Sequence, residues 1–129
     1  MIVVCSIRLN VFTYHQDCGS LLAVAVNTCC LALLDAACPL RWPFAAVTCI
    51  QTDQGELMMN APKQHEESAL SVLTVVVAKY QGTDNVIALH SDGLITQELQ
   101  QKMVAMCKSN VQSVFDFYEE SLRNKICSI

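Results

Sequence analysis

Residues 7–37 read IRLNVFTYHQDCGSLLAVAVNTCCLALLDAA, and the change of period inside this stretch decides the fold. From Ile7 to Thr13 the odd positions are Ile7, Leu9, Val11 and Thr13, with Arg8 and Asn10 between them. That two-residue period marks a strand with one buried face. Asp17-Cys18-Gly19-Ser20 has the composition of a turn, and Ser20 is a good N-cap for a helix that starts at Leu21. From Leu21 to Ala37 the chain is apolar nearly all round, which predicts a helix buried on most sides and closed by Pro39. Asn27, Thr28 and Asp35 interrupt this run, the most apolar of the chain, and a spanning helix needs ~20 mostly apolar residues. It reads as an interior helix, and no membrane partner is expected.

Downstream, Ala45 to Gln51 predicts a second strand. Thr52-Asp53-Gln54-Gly55 then turns into a short third strand from Glu56 to Met59, a hairpin signal. Asn60 to Ser68 is polar and contains Pro62, hence a loop with room for one helical turn. Val72 to Val77 is a β-branched run suited to a central strand within Ala69 to Tyr80. Gly82-Thr83-Asp84-Asn85 predicts a turn into a strand from Val86 to His90, and Ser91-Asp92-Gly93 predicts another turn. The last element reads as one long amphipathic helix. Thr96 caps it, Glu98 lies in its first turn, and Arg123 and Lys125 suit the dipole at its end. Leu99, Met103, Met106, Cys107, Val111, Val114, Phe115, Tyr118 and Leu122 make a stripe spaced by three and four, a core face.

At 129 residues, the chain has room for one domain. Its 53% apolar and 16% charged composition excludes disorder as the main state. The net charge is −4, and the eight Lys and Arg residues are scattered rather than gathered into a basic patch. Contact with RNA is therefore expected only as part of a larger assembly. Cys5, Cys18, Cys29, Cys30, Cys38, Cys49, Cys107 and Cys127 include no Cys-x-x-Cys pair, and no secretory signal order precedes them. They read as reduced, buried small hydrophobes, with no metal and no cofactor expected.

His15, His65 and His90 fall in separate segments, so a Cys18–His15 nucleophile pair is the weaker reading beside a surface histidine. Glu66 and Glu67 are neighbours on a loop, and Asp53 and Asp92 sit in turns, positions that ordinarily make solvated or locally bonded carboxylates. No glycine-rich phosphate loop and no Gly-x-Ser-x-Gly elbow is present. Residue chemistry alone assigns no catalytic residue.

The segment Asp17-Cys18-Gly19-Ser20-Leu21-Leu22-Ala23, with Asn27 and Ala32-Leu33-Leu34-Asp35-Ala36 after it, resembles the strand–turn–helix centre of the RNase PH family. Ala46-Val47-Thr48-Cys49, Gly55-Glu56-Leu57, Lys63-Gln64, Val72-Leu73-Thr74 and Val114 to Leu122 extend the likeness in order over nearly the whole chain. The resemblance implies an α+β fold of the RNase PH type (ribosomal protein S5 domain 2-like). It would be a mixed sheet with a buried helix and a long C-terminal amphipathic helix. Residues 1–129 then form a single domain of that type which begins at a strand ahead of the phosphate turn, without the family's N-terminal half.

Active members of the family carry a Gly-Gly-Thr-Arg-Thr turn whose Thr and Arg hold the attacking phosphate. Backbone amides at a helix start and a bidentate guanidinium suit that task. The corresponding turn here is Cys18-Gly19-Ser20-Leu21-Leu22, so Gly19, Ser20 and Leu21 form a vestigial phosphate site with leucine in place of arginine. The family's aspartates ahead of the valine-rich strand fall on Leu70 and Val72. The resemblance thus implies a non-catalytic subunit of the eukaryotic exosome ring. Such a subunit supports 3′-to-5′ RNA processing and decay, including rRNA maturation, in nucleus, nucleolus and cytoplasm. Its partners are the other RNase PH-like ring subunits, and RNA through the complex. The alternative is a free hydrolytic nuclease, a homo-oligomer acting on DNA or RNA with a metal or general acid from Glu66, Glu67 or Asp92.

Overall fold

The β-branched run of residues 72–77 builds the centre of the sheet. In the structure, a computed structural model that describes residues 8–9 and 20–127, this run lies in β3 (Ser71–Tyr80). It pairs antiparallel with β1 (Phe44–Gln51), placing Val47 opposite Val75 and Cys49 opposite Leu73. β2 (Leu57–Met59) flanks β1 and β4 (Thr83–Gly93) flanks β3, giving the order β2-β1-β3-β4. The α+β class holds. Where a mixed sheet is expected, the described strands pair antiparallel throughout, because β1–β2 and β3–β4 are joined by hairpins. The expected strand from Ile7 to Thr13 lies outside the described residues except for Arg8 and Leu9.

The Thr52-to-Gly55 turn forms as the sequence predicts: the Thr52 amide donates to the Glu56 carbonyl at 2.7 Å, and Gly55 takes φ 86°. The β3–β4 turn does not begin at Gly82. It is the two-residue loop Gln81-Gly82, both at positive φ (49° and 75°), with Tyr80 opposite Thr83. Two positive φ values give the connection the twist of its strands. Ser91-Asp92-Gly93 is not a turn either, since all three residues pair with β3. Gly93 is there for a close approach: a Cβ on it would lie 2.4 Å from the Leu70 carbonyl oxygen.

One face of the sheet carries the core. Ala45, Val47 and Cys49 of β1 and Leu73, Val75 and Val77 of β3 pack under Met103, Cys107, Val111, Phe115 and Tyr118. The predicted stripe is real, but the terminal helix is two helices, α3 (Gln97–Asn110) and α4 (Gln112–Cys127), meeting at Val111. Ser109 and Asn110 explain the break. Ser109 Oγ and Asn110 Nδ2 each donate to the Met106 carbonyl at 2.8 Å, and Ser113 Oγ donates to the Asn110 carbonyl at 2.9 Å. These side chains compete with the helix ladder for its carbonyls. Thr96 caps α3 as predicted, its hydroxyl accepting from the Leu99 amide at 3.2 Å.

α1 (Leu21–Asp35) is not buried on most sides. Ala23 and Cys30 are its buried residues, while Leu21, Leu22 and Val24 are 43–55% exposed. Its main partner among the described residues is β1, followed by β3 and α4. Its end is a Schellman arrangement in which the Cys38 amide donates to the Leu33 carbonyl and the Ala37 amide to that of Leu34. Ala37 takes φ 54° there, a left-handed position that favours glycine.

Asn27 ties α1 to the sheet. Its Nδ2 donates to the Ala46 carbonyl at 2.9 Å and its Oδ1 accepts from the Ala46 amide at 2.6 Å, so one side chain does for Ala46 what a neighbouring strand would do. Tyr118 of α4 joins this knot, its hydroxyl 3.0 Å from Asn27 Oδ1 and 3.2 Å from the Phe44 carbonyl. Burial, then the charge of the Cys30 thiolate form, push the Tyr118 phenol above its ordinary range, keeping it a neutral donor.

Candidate functional site

The turn that resembles a phosphate site leads into α1. Gly19 lies outside the described residues; Ser20 occupies the N-cap position and Leu21 is the first helical residue, its side chain partly exposed. Ser20 does not cap with its side chain as predicted. It sits at φ 55°, ψ 35°, and its hydroxyl makes no cap bond. N-cap side chains reach back to the helix amides from an extended backbone, which this conformation is not. Ser20 Oγ is buried without a partner among the described residues. The Ser20 amide is taken by a carboxylate from far along the chain, donating to Glu66 Oε2 at 2.6 Å.

Glu66 is brought there by α2 (Lys63–Glu67), the helical turn that the polar loop leaves room for. Pro62, at φ −59°, sets its start, and the Glu66 amide donates to the Pro62 carbonyl at 3.1 Å. The Leu70 amide, donating to the Gln51 carbonyl at 2.9 Å, then returns the chain to the sheet.

These segments line an open depression of about 320 Å³ between α2, the start of β3 and the end of β4. Lys63, Glu66, Glu67, Leu70, Val72 and Asp92 are among its walls. The cavity therefore gathers the two positions that the resemblance gives to aspartates, Leu70 and Val72, with the three carboxylates weighed for hydrolysis. Asp92 reaches it as a strand residue opposite Val72, not from a turn. Among the described residues, no three His, Cys, Asp or Glu side chains are placed to share a metal ion.

The remaining candidates stand apart. His65 is on α2, and His90 is mid-strand in β4 opposite Thr74 and exposed. His15 and Cys18 lie outside the described residues. Cys30, Cys49 and Cys107 are buried as predicted, Cys29 and Cys38 are half-buried, and Cys127 is exposed. A hydrogen bond with Cys49, then burial, push the Cys107 thiol far up, and burial raises Cys30, so neither is a ready nucleophile. No described helix is long and apolar enough to cross a membrane.

The link from Ser20 to Glu66 escapes a sequence reading, since 46 positions separate the partners and neither lies in a motif naming the other. Asn27 does carry a signal: an amide inside an apolar helix needs a buried partner.

No family model matches the chain. Over 111 residues, 86% of this chain and 52% of the relative, it is 28% identical to the exosome complex component RRP46 homolog of Caenorhabditis elegans. It is 28% identical over 104 residues to the exosome complex exonuclease RRP46 homolog of Arabidopsis thaliana, covering 81% of this chain and 42% of that protein. Among solved structures, rice (Oryza sativa) Rrp46 superposes with a TM-score of 0.77 at 25% identity, over 84% of this chain and 51% of that one. The C. elegans cell-death-related nuclease 5 (CRN-5) gives the same TM-score and identity, over 88% and 61%. The chain spans about half the length of the curated relatives it matches. In sequence it is similar to the RRP46-type exosome components, and its fold is the α+β, RNase PH-like fold of that group.

Proposed function

We propose that this chain acts as a non-catalytic ring subunit of the RNA exosome. In this role it supports 3′-to-5′ RNA processing and degradation, rRNA maturation included, in nucleus, nucleolus and cytoplasm. It works by contact with other RNase PH-like ring subunits and meets RNA through the assembled complex. The similarity to exosome components over 111 residues carries the reading. Leucine at position 21, where the resembling turn has arginine, and the apolar Leu70 and Val72 at the aspartate positions support the absence of catalysis. Phosphorolysis needs a bound phosphate to attack the terminal phosphodiester and release a nucleoside diphosphate. A leucine offers that dianion neither charge nor hydrogen bonds. Purified chain incubated with RNA and inorganic phosphate is expected to release no nucleoside diphosphate. Phosphate-dependent release that co-purifies with the chain through successive columns overturns the proposal.

A second reading, a free hydrolytic nuclease acting as a homo-oligomer, is favoured by Glu66, Glu67 and Asp92 lining one cavity. The name of the CRN-5 neighbour, a nuclease, points the same way. That reading expects purified chain to cut RNA or DNA and the Glu66→Gln, Glu67→Gln double variant to lose the activity. Cleavage unchanged in the double variant removes these carboxylates from the role.

A further inference from the structure

Two large rings stay in water at one end of the sheet. The Lys79 amide donates to the Pro43 carbonyl at 3.1 Å, which carries the β1–β3 ladder one step past the Phe44–Ala78 pair and sets Trp42 opposite Tyr80. Their ring centroids lie 4.6 Å apart with the planes tilted by 57°. A cross-strand aromatic pair steadies a strand end, but packing alone favours burying such rings, and here Trp42 is 37% and Tyr80 43% exposed. Lys79 turns the other way, its amine over the Phe115 ring of α4. The alternation of a strand therefore puts Tyr80 and its stacked partner on the face away from that helix. Residues 39–44 and 80–83, which carry the pair, include Arg41 and no acidic side chain, in a chain whose net charge is −4. Arg41, next to Trp42 in the chain, is exposed.

We propose that Trp42 and Tyr80 form a stacking platform for the unpaired bases of a single-stranded nucleic acid, with Arg41 as its phosphate contact. Every base presents a π-face that stacks on an exposed aromatic ring whatever the sequence, and a guanidinium beside the ring pairs with an adjacent phosphate. A proline-rich peptide also docks on exposed aromatic rings. The cation and the lack of acidic side chains around this pair favour the polyanion. With Arg41 the single cation of its segments, the platform holds a strand weakly and without sequence preference. That suits a chain whose basic residues are scattered: the site guides a strand that other parts of an assembly retain. The inference rests on the proposed contact with RNA and names the surface that makes it. Its test uses the chain alone, so it succeeds or fails independently of ring membership.

Trp42 is the chain's single tryptophan, so its fluorescence reports this site. Tryptophan emission of the full chain is followed as a short oligoadenylate, the matching DNA oligonucleotide, an RNA duplex of equal length or inorganic polyphosphate is added. Both single strands are expected to quench saturably. The duplex, with its bases already stacked, and polyphosphate, which has none, should leave the emission nearly unchanged. Affinity should fall with salt at a log–log slope of about −0.7, the release expected for one phosphate of a single strand. Tyr80→Leu, which keeps apolar bulk but not the π-face, should weaken binding at least about fivefold, while Tyr80→Phe matches wild type. Absence of saturable quenching into the millimolar range overturns the proposal. So do equal quenching by duplex or polyphosphate, wild-type affinity in Tyr80→Leu, and saturation by a polyproline peptide where RNA gives none. Should Tyr80→Leu not fold, Trp42→Leu, read by the anisotropy of a labelled oligoadenylate, takes its place with the same expected loss, and the wild-type titrations retain their power to refute.

Discussion

Replacing Asn27 by alanine should cost far more than its surroundings suggest. Asn27 sits among apolar residues of a partly exposed helix, where alanine would be the better helix former by about 0.5 kcal/mol. Against that gain stand three hydrogen bonds: two to the backbone of Ala46, itself 1% exposed, and one from Tyr118. A net hydrogen bond is worth about 1 kcal/mol, and a buried group left without a partner costs about 1–3 kcal/mol. Tyr118 keeps the Phe44 carbonyl, so the two Ala46 groups dominate. The expected loss is about 2–4 kcal/mol after the helix gain is subtracted. Urea unfolding measures it as a fall in midpoint at unchanged slope. Thr28→Ala is the control, since the Thr28 hydroxyl is exposed and bonds only the Val24 carbonyl of its own helix. It should stay within about 0.5 kcal/mol of wild type. If Asn27→Ala does so too, the Asn27–Ala46 tie is not what fastens α1 to the sheet.

Ala37→Gly should raise stability by about 0.5–1 kcal/mol in the same assay, because Ala37 holds φ 54° at the end of α1. Gly93→Ala should lower the thermal midpoint by several degrees, a loss of about 1–3 kcal/mol, because its Cβ would stand 2.4 Å from a backbone oxygen. For Tyr118 the folded-state value is raised above the ordinary 10.0, so its contribution is fully present below pH 10 and is lost as pH rises beyond it. Unfolding measured between pH 9 and pH 11 should show this fall in wild type and a smaller one in Tyr118→Phe.

The strands and helices are legible wherever burial on one face leaves a period in the sequence. The stripe from Leu99 to Leu122 is such a case, while the valine run of β3 is legible from its β-branched composition instead. What periodicity cannot show is where a regular pattern changes geometry. The stripe continues unbroken through Val111, while Ser109 and Asn110 interrupt the helix ladder beside it. Turn composition misleads at Ser91-Asp92-Gly93, because glycine also serves where two backbones approach closely, and a composition does not distinguish the uses. The apolar surround of α1 reads as burial, but burial depends on what packs against a helix, and Leu21, Leu22 and Val24 stay exposed. At the site, the turn residues are visible in the sequence, as is leucine at position 21, where the resemblance to the RNase PH turn puts arginine. The carboxylate on the Ser20 amide is not, since only the fold sets Glu66 beside α1.

Membership of an RNase PH-like ring is tested by a tagged pull-down of the full chain from native extract. Mass spectrometry identifies what co-purifies. Ring membership requires recovery of the other RNase PH-like exosome subunits in amounts comparable to the bait. Recovery of the tagged chain alone, or only of further copies of itself, contradicts it.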